Sequence, residues 1–259
     1  MSSRSRRIRK WTVRLLLTVT SLAALDIAIL LYPTPLFAYS QSFGSYRVYA
    51  DEPIPDGTAG VIEDLTRRVA AMEHGSPGGS HRIYLCNSTR RYALLAFLAR
   101  RSSESQAIGL SFPDESFVQM PRLRRFAALN RETLPHSRFE GNLAEAVAHE
   151  IAHFNSLHAL GLRRHLALPV WKSEGWAEYQ ANLAAIHADP GYDLHARIDR
   201  LLDDGFWARG HGASRRMWEA QLLVEFLGEV KGYRLADLAR EDVTEISARD
   251  AMIEWWRSR

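Results

Sequence analysis

Residues 149–153 read HEIAH, and residues 171–179 read WKSEGWAEY. Side chains four residues apart in a helix lie one above the other, so the imidazoles of His149 and His153 can reach the same metal ion. Glu174, in the second stretch, offers a carboxylate as a third ligand. Two histidines, one carboxylate and an open coordination position are typical of a catalytic zinc site and not of a closed structural one. The two stretches therefore predict one zinc ion per chain.

Glu150 lies one residue round the helix from the first histidine, where its carboxylate can reach a water molecule beside the ion. This is the position of a general base. A chain of this length and composition contains an HExxH pattern by chance in roughly 2 cases of 100, and the second stretch lowers that chance further. The alternative from the motif alone is an amphipathic helix whose histidines lie on a solvated face.

The HEIAH stretch is expected to lie in a helix that is buried on one side. Asn142 can cap this helix, and Glu145 can reach back to it as in a capping box. Apolar residues form a stripe roughly opposite the two histidines, namely Leu143, Val147, Ile151 and Phe154. Such a stripe packs on the core and leaves the other face free to present metal ligands.

A second helix is predicted over about residues 170–187, where Glu174 and Glu178 are four apart and share a face. Small residues near that face would let the two helices approach closely, namely Ala177, Ala181 and Ala185. Glu178 is predicted to accept a hydrogen bond from the far ring nitrogen of a ligand histidine. The alternative is a solvated acidic face whose alanines serve helix propensity.

The order of the predicted elements indicates an α+β fold, with a small mixed sheet lobe followed by a mainly helical lobe. After a linker that begins at Tyr39, strands are expected near residues 46–49, 83–86, 107–112 and 116–120, with helices over 59–73 and 92–101. From Asn142 onward the pattern is nearly all helix, with later helices over 194–204, 214–231 and 247–256.

The N-terminal segment is predicted to be a transmembrane signal anchor. Six basic residues precede the apolar stretch Leu15–Leu31, whose seventeen residues span roughly 26 Å as a helix, and Trp11 and Tyr32 flank it. Residues 1–38 then form a cytoplasmic tail and membrane anchor, and residues 39–259 form one extracytoplasmic domain, in the periplasm or on the outer face. The alternative is a cleaved signal peptide and a secreted domain.

Charge and cysteine content narrow the function classes. The chain has 33 Lys/Arg and 30 Asp/Glu; residues 1–38 contain six of the former and one of the latter, which leaves 27 and 29, a formal net charge of −2. The excess of basic over acidic residues therefore lies in the membrane-flanking tail, and no nucleic-acid partner is expected. Cys86 is the single cysteine, which excludes an intramolecular disulfide, and it is predicted to be a buried strand residue.

The HEIAH stretch followed by the EGWAEY run (Glu174–Tyr179) resembles the gluzincin metallopeptidases, the thermolysin-like or peptidase MA-like group. The resemblance covers about residues 140–185 and extends loosely to residues 221–232. It implies a zincin-like fold and a peptide or protein substrate, with His149, His153 and Glu174 as zinc ligands and Glu150 as the base. The predicted function is thus a membrane-anchored zinc metallopeptidase that hydrolyses peptide bonds through a zinc-activated water.

The chain also departs from the family pattern. Gluzincins usually carry a Tyr or His on the later helices to stabilise the oxyanion; Trp218 stands near that place, and His211 and Tyr233 are the nearest candidates. Two alternatives stay open: a membrane-tethered zinc-binding factor without turnover, and a zinc hydrolase acting on a non-peptide amide such as a cell-wall bond. An intramembrane zinc protease is excluded, because polar and charged residues flank the motif.

Overall fold

The computed structural model describes residues 3–75, 81–111, 114–125, 142–208 and 215–259. It begins with a long helix, α1 (Ser3–Leu31). Within α1, the segment Trp11–Leu31 has a mean hydropathy of 2.0, and none of its residues is buried. This confirms that the N-terminus carries a helix long and apolar enough to span a membrane.

Five strands of the described chain form one mixed sheet in the order β1-β2-β3-β5-β4. The strands are β1 (Tyr39–Phe43), β2 (Tyr46–Ala50), β3 (His81–Cys86), β4 (Ala107–Ser111) and β5 (Asp114–Gln119). The central strands β2, β3 and β5 are parallel, whereas β1 and β4 are antiparallel edge strands. A helix follows each of the first two central strands, as parallel pairing requires, namely α2 (Thr58–Ala71) and α3 (Thr89–Leu98).

Side chains alternate between the two faces of this sheet. Ile83 and Leu85 of β3 pack on the side of α2, whereas Tyr84 and Cys86 pack on the side of α3. Cys86 is fully buried, which confirms it as a strand residue of the core. Burial, together with the charge of Asp51, raises the pKa of its thiol to about 12. Cys86 is therefore not a reactive thiol.

The rest of the described chain is helical. Its elements are α4 (Leu143–Leu160), α5 (Leu162–Ala167), α6 (Val170–Ala188), α7 (Leu194–Leu202), α8 (Asp204–Ala208), α9 (Arg215–Glu229), α10 (Leu235–Leu238) and α11 (Glu245–Arg257). Helix α6 is central, because it packs against α4 on one side and α9 on the other. A Cβ added to Gly175 of α6 would lie 2.3 Å from the carbonyl oxygen of Ala220 in α9. The two helices therefore meet backbone to backbone beside Glu174.

The α+β prediction, with a small mixed sheet followed by helices, is confirmed. The linker predicted from Tyr39 is wrong, since residues 39–43 form β1 and Phe37 is already buried in the core. Strand β1 is exposed along most of its length, so it lacks the hydrophobic alternation that marks a half-buried strand. The short helices α5 and α10 were not predicted, and the helix expected over 194–204 is interrupted between α7 and α8.

Candidate metal centre

Helix α4 has a cap at each end and packs one face in the core. The side chain of Asn142 accepts a hydrogen bond from the backbone of Glu145, which begins the helix, and Gly161 ends it with a left-handed φ of 75°. The apolar stripe of α4 then packs on the α2 side of the sheet. The opposite face carries His149 and His153, each only partly exposed.

Three side chains converge at this face with the spacing of a metal site. The Nε2 atoms of His149 and His153 lie 3.1 Å apart. The carboxylate oxygens of Glu174 lie 3.4 Å from His149 Nε2 and 3.7 Å from His153 Nε2. A zinc ion at about 2.0–2.1 Å from each of three tetrahedral ligands would separate the ligand atoms by about 3.3 Å. The cluster of His149, His153 and Glu174 can therefore hold a metal ion.

The charges around the cluster favour a positive charge at this point. Burial opposes protonation of His149, but the carboxylates of Glu178, Glu174 and Glu150 outweigh it and hold the pKa of His149 well above its usual value. Burial also opposes ionisation of Glu174, yet hydrogen bonds and charges from the two histidines hold the pKa of Glu174 far below its usual value. The donor set thus fits a divalent cation chemically as well as geometrically.

The outer nitrogens of both rings also have neighbours on α6. Glu178 Oε1 lies 3.2 Å from His149 Nδ1, an ion-pair approach without the aligned geometry of a full hydrogen bond. Ser173 Oγ lies 3.4 Å from His153 Nδ1. Such contacts orient ligand rings and raise their basicity. Ser173 was not singled out in the sequence, although it directly precedes Glu174.

Glu150 faces a cleft of about 640 Å³ between α4, α6, α9 and strand β4. The cleft also contains the three clustered side chains. A Cβ added to Gly109 of β4 would lie 2.8 Å from Glu150 Oε2 and 2.5 Å from the ring of Phe154. Strand β4 therefore lies directly against the side chains of Glu150 and Phe154, which a side chain at position 109 would have to displace.

We expect the substitution Gly109→Ala to lower the free energy of unfolding by about 1–3 kcal/mol, because the added methyl group would push aside the ring of Phe154 and the carboxylate of Glu150. The matched control is Gly60→Ala on the exposed face of α2, where an added Cβ meets nothing within 4 Å. That variant should gain about 0.5–1 kcal/mol from helix propensity. Chemical denaturation of both variants measures the difference; equal stability would contradict the prediction and show that Phe154 and Glu150 move aside without cost.

Helix α9 contributes two hydrogen-bond donors to the lining of the cleft. Trp218 and Gln221 are three residues apart on one face of α9, and both side chains are buried. Among the described residues, neither the indole Nε1 of Trp218 nor the amide Nε2 of Gln221 has a hydrogen-bond partner. Leaving a buried donor unpaired costs about 1–3 kcal/mol, so both are available to a ligand in the cleft.

These donors bear on the oxyanion-stabilising residue that the resemblance to gluzincins implies. Among the sequence candidates, His211 lies outside the described residues, and Tyr233 packs against the core of the helical part without lining the cleft. Trp218 does line it. Gln221 was missed, because a glutamine in an amphipathic helix carries no sequence signal; its place beside Glu174 follows from the contact between Gly175 and Ala220.

Comparison with models of known protein families gives no match, and no characterised protein matches the chain at a significant level.

Proposed function

We propose that this protein is a membrane-anchored zinc metallopeptidase of the gluzincin type, with His149, His153 and Glu174 as the ligands of one zinc ion. The supporting observation is the meeting of two imidazole nitrogens and one carboxylate at tetrahedral spacing in a cleft that Glu150 also faces. Two nitrogen ligands and one oxygen ligand with a free position favour zinc over manganese or cobalt.

In the proposed hydrolysis, the side chains of the cleft have different roles. When bound, the metal would lower the pKa of a water molecule and polarise the carbonyl of the substrate. Glu150 accepts the proton of the attacking water and then donates it to the leaving amine. Glu178 and Ser173 hold the histidine rings in place. Gly109 of β4 lies beside the Glu150 carboxylate and limits the positions that it can take in the cleft.

Strand β4 favours a polypeptide as substrate. It is an edge strand that pairs with β5 along one side, and its residues Ala107, Ile108 and Gly109 line the cleft. An extended peptide can add to such an edge through backbone hydrogen bonds, which hold it without regard to most side chains. The short stem peptides of a cell wall offer fewer backbone groups to this edge than an extended polypeptide does, so a polypeptide is the better-supported substrate.

The six basic residues precede the apolar part of α1, and we infer from them that the N-terminus is cytoplasmic and the rest of the chain extracytoplasmic. Helix α1 then serves as an uncleaved anchor for the domain. This orientation of the chain in the membrane is part of the proposed function.

The direct test is the zinc content and peptide hydrolysis of the full chain in detergent. One zinc ion per chain, with hydrolysis that a chelator stops and added zinc restores, would support the proposal. One zinc ion without hydrolysis of any peptide in a diverse library would instead favour a tethered zinc-binding factor. Hydrolysis of cell-wall amides but not of peptides would change the substrate class, and the absence of zinc would overturn the proposal.

We further expect the unpaired donors of α9 to act on the oxyanion. The variants Trp218→Phe and Gln221→Met keep a side chain of similar size but remove its N–H donor. Each should lower kcat by about 100-fold, with little change in KM or zinc content. Trp207→Phe is the matched control, since the indole N–H of Trp207 is already bonded to the carbonyl of Leu201. Unchanged kcat in both test variants would show that these donors of α9 do not stabilise the oxyanion.

A further inference from the structure

The end of α1 is part of the packing of the sheet lobe. Ile29 of α1 and Leu36 pack against the cluster on the α3 side of the sheet. Phe37 is buried, with its ring centroid 4.9 Å from that of Tyr84. The domain therefore follows the apolar helix without a free linker, and its orientation relative to that helix is defined.

A second contact joins the lobe to the side of α1. Nη2 of Arg100, just after α3, lies 3.1 Å from Oδ2 of Asp26. Asp26 is five residues before the end of α1 at Leu31, which corresponds to about 7.5 Å along the helix. An acidic residue inside a membrane-spanning stretch requires a partner. Arg100 supplies it, so this part of the lobe lies beside the outer end of the span.

Arg100 has a backbone conformation that costs less free energy for glycine than for arginine. Its φ of 58° is left-handed, and the backbone bonds from Arg100 to Phe97 and from Arg101 to Ala96 form the turn that usually ends a helix at glycine. The arginine side chain connects the last carbonyls of α3 to Asp26. A strained residue with a specific partner indicates that the partner contact has a function.

The outward face of α3 has the character of a membrane interface. Phe97 is 70% exposed and Leu94 is 45% exposed, and they lie three residues apart on the same face. The guanidinium of Arg100 lies over the Phe97 ring, 5.9 Å from its centroid. Exposed aromatic and aliphatic tips combined with arginines suit the layer between headgroups and acyl chains.

The mouth of the cleft begins next to this face. Arg101 and Ser102 follow Arg100 directly and line the cleft. Across the cleft, Leu166 and Val170 also line it, and both are strongly exposed. The mouth of the cleft is thus rimmed by apolar residues and an arginine, as an anionic lipid surface would favour.

We propose that α3 rests in the outer headgroup layer of the bilayer that α1 spans, so that the cleft opens at the membrane surface and takes polypeptide segments held there. The lipid bilayer is the partner of the α3 face, because that face continues the exposed apolar surface of α1 through the contact between Asp26 and Arg100. The substrate class rests on the proposed peptidase function, whereas the docking of α3 rests only on the membrane anchor.

Depth-dependent quenching tests the docking. The full chain is reconstituted in vesicles of phosphatidylethanolamine and phosphatidylglycerol, with a fluorophore on Phe97→Cys or on Ile246→Cys, an equally exposed position on α11. The parent chain, whose Cys86 is buried, reports background labelling. Spin labels near the lipid headgroups should quench the fluorophore at position 97 strongly and the one at position 246 weakly. Equal, weak quenching at both positions would overturn the docking.

Arg100→Gly and Asp26→Asn test the contact that fixes α3. Glycine suits the left-handed turn, so Arg100→Gly should melt at the parent temperature or above, yet lose most of the quenching at position 97. Asp26→Asn should weaken the quenching at position 97 without changing any residue of the sheet lobe. Quenching retained in both variants would overturn the role of this contact.

A pair of substrates tests the substrate class. One peptide is compared free in solution and carrying a lipid tail that holds it on the same vesicles. The full chain should cleave the tethered form at least about tenfold more efficiently, because both partners share the surface, and Arg100→Gly should lose this preference while cleaving the free peptide as before. Equal cleavage of both forms by the parent chain would overturn the substrate class. Docking without any peptide cleavage would overturn the proposed function and leave the docking of α3 intact.

Discussion

The substitution Glu150→Gln is expected to abolish hydrolysis while the protein keeps one metal ion per chain. Glutamine preserves the size of the side chain beside Gly109 but cannot accept a proton from water. Removal of a general base lowers a rate by about 10²–10⁴-fold, and the loss should appear in kcat and kcat/KM alike. Initial rates on a cleaved peptide, with zinc measured by mass spectrometry on the same preparation, check both parts.

Glu145→Gln is the matched control for this result. Glu145 is on the same helix and lines the same cleft, so its replacement removes one negative charge in the same way. Its carboxylate accepts a hydrogen bond from Asn182, which a glutamine side chain can also accept. We expect Glu145→Gln to lose less than about tenfold, since it lacks the base role. Similar losses in the two variants would mean that charge, and not proton transfer, explains the effect of Glu150.

The second large effect is expected from Glu174→Ala, which should lose the metal. The carboxylate of Glu174 is the oxygen ligand of the cluster and lies on α6, 21 residues after His153 in sequence. Alanine keeps the helix, because it has the highest helix propensity. Since loss of a partner behind a ligand costs about 10–100-fold in metal affinity, loss of the ligand itself should cost more. Competition with a chelator of known affinity measures the change.

Glu178→Ala is compared with Glu174→Ala and should have a smaller effect on metal affinity. Glu178 lies behind His149, at the ring nitrogen that faces away from Glu174. Its removal should weaken metal binding by about 10–100-fold and leave the stoichiometry at one under excess zinc. If Glu174→Ala bound zinc as tightly as the parent chain, Glu174 would not be a ligand and the proposed site would be wrong. Circular dichroism of each variant shows whether α6 is retained.

Local patterns in the sequence predicted much of this architecture. Asn142 begins α4 through its side chain, as its place before the apolar stripe indicated. The strands that could be predicted are those with runs of apolar residues, such as residues 83–86 of β3, which are buried on both faces of the sheet. Strand β1 escaped prediction because it is an exposed edge whose pairing with β2, and not its own burial, makes it a strand. The turn at Gly44, with φ of 58°, joins these two strands.

The sequence alone was enough to place the two histidines on one helical face, to order a sheet lobe before a helical one, and to identify an apolar helix at the N-terminus. Those features follow from spacing within single elements. Tertiary structure decided which distant groups meet: Gly109 against Glu150, Gln221 near Glu174, and Arg100 against Asp26, which are 74 residues apart in sequence. The reason is physical. Helical periodicity fixes which side chains share a face, but the close approach of two elements depends on the packing of whole faces, which no single stretch contains.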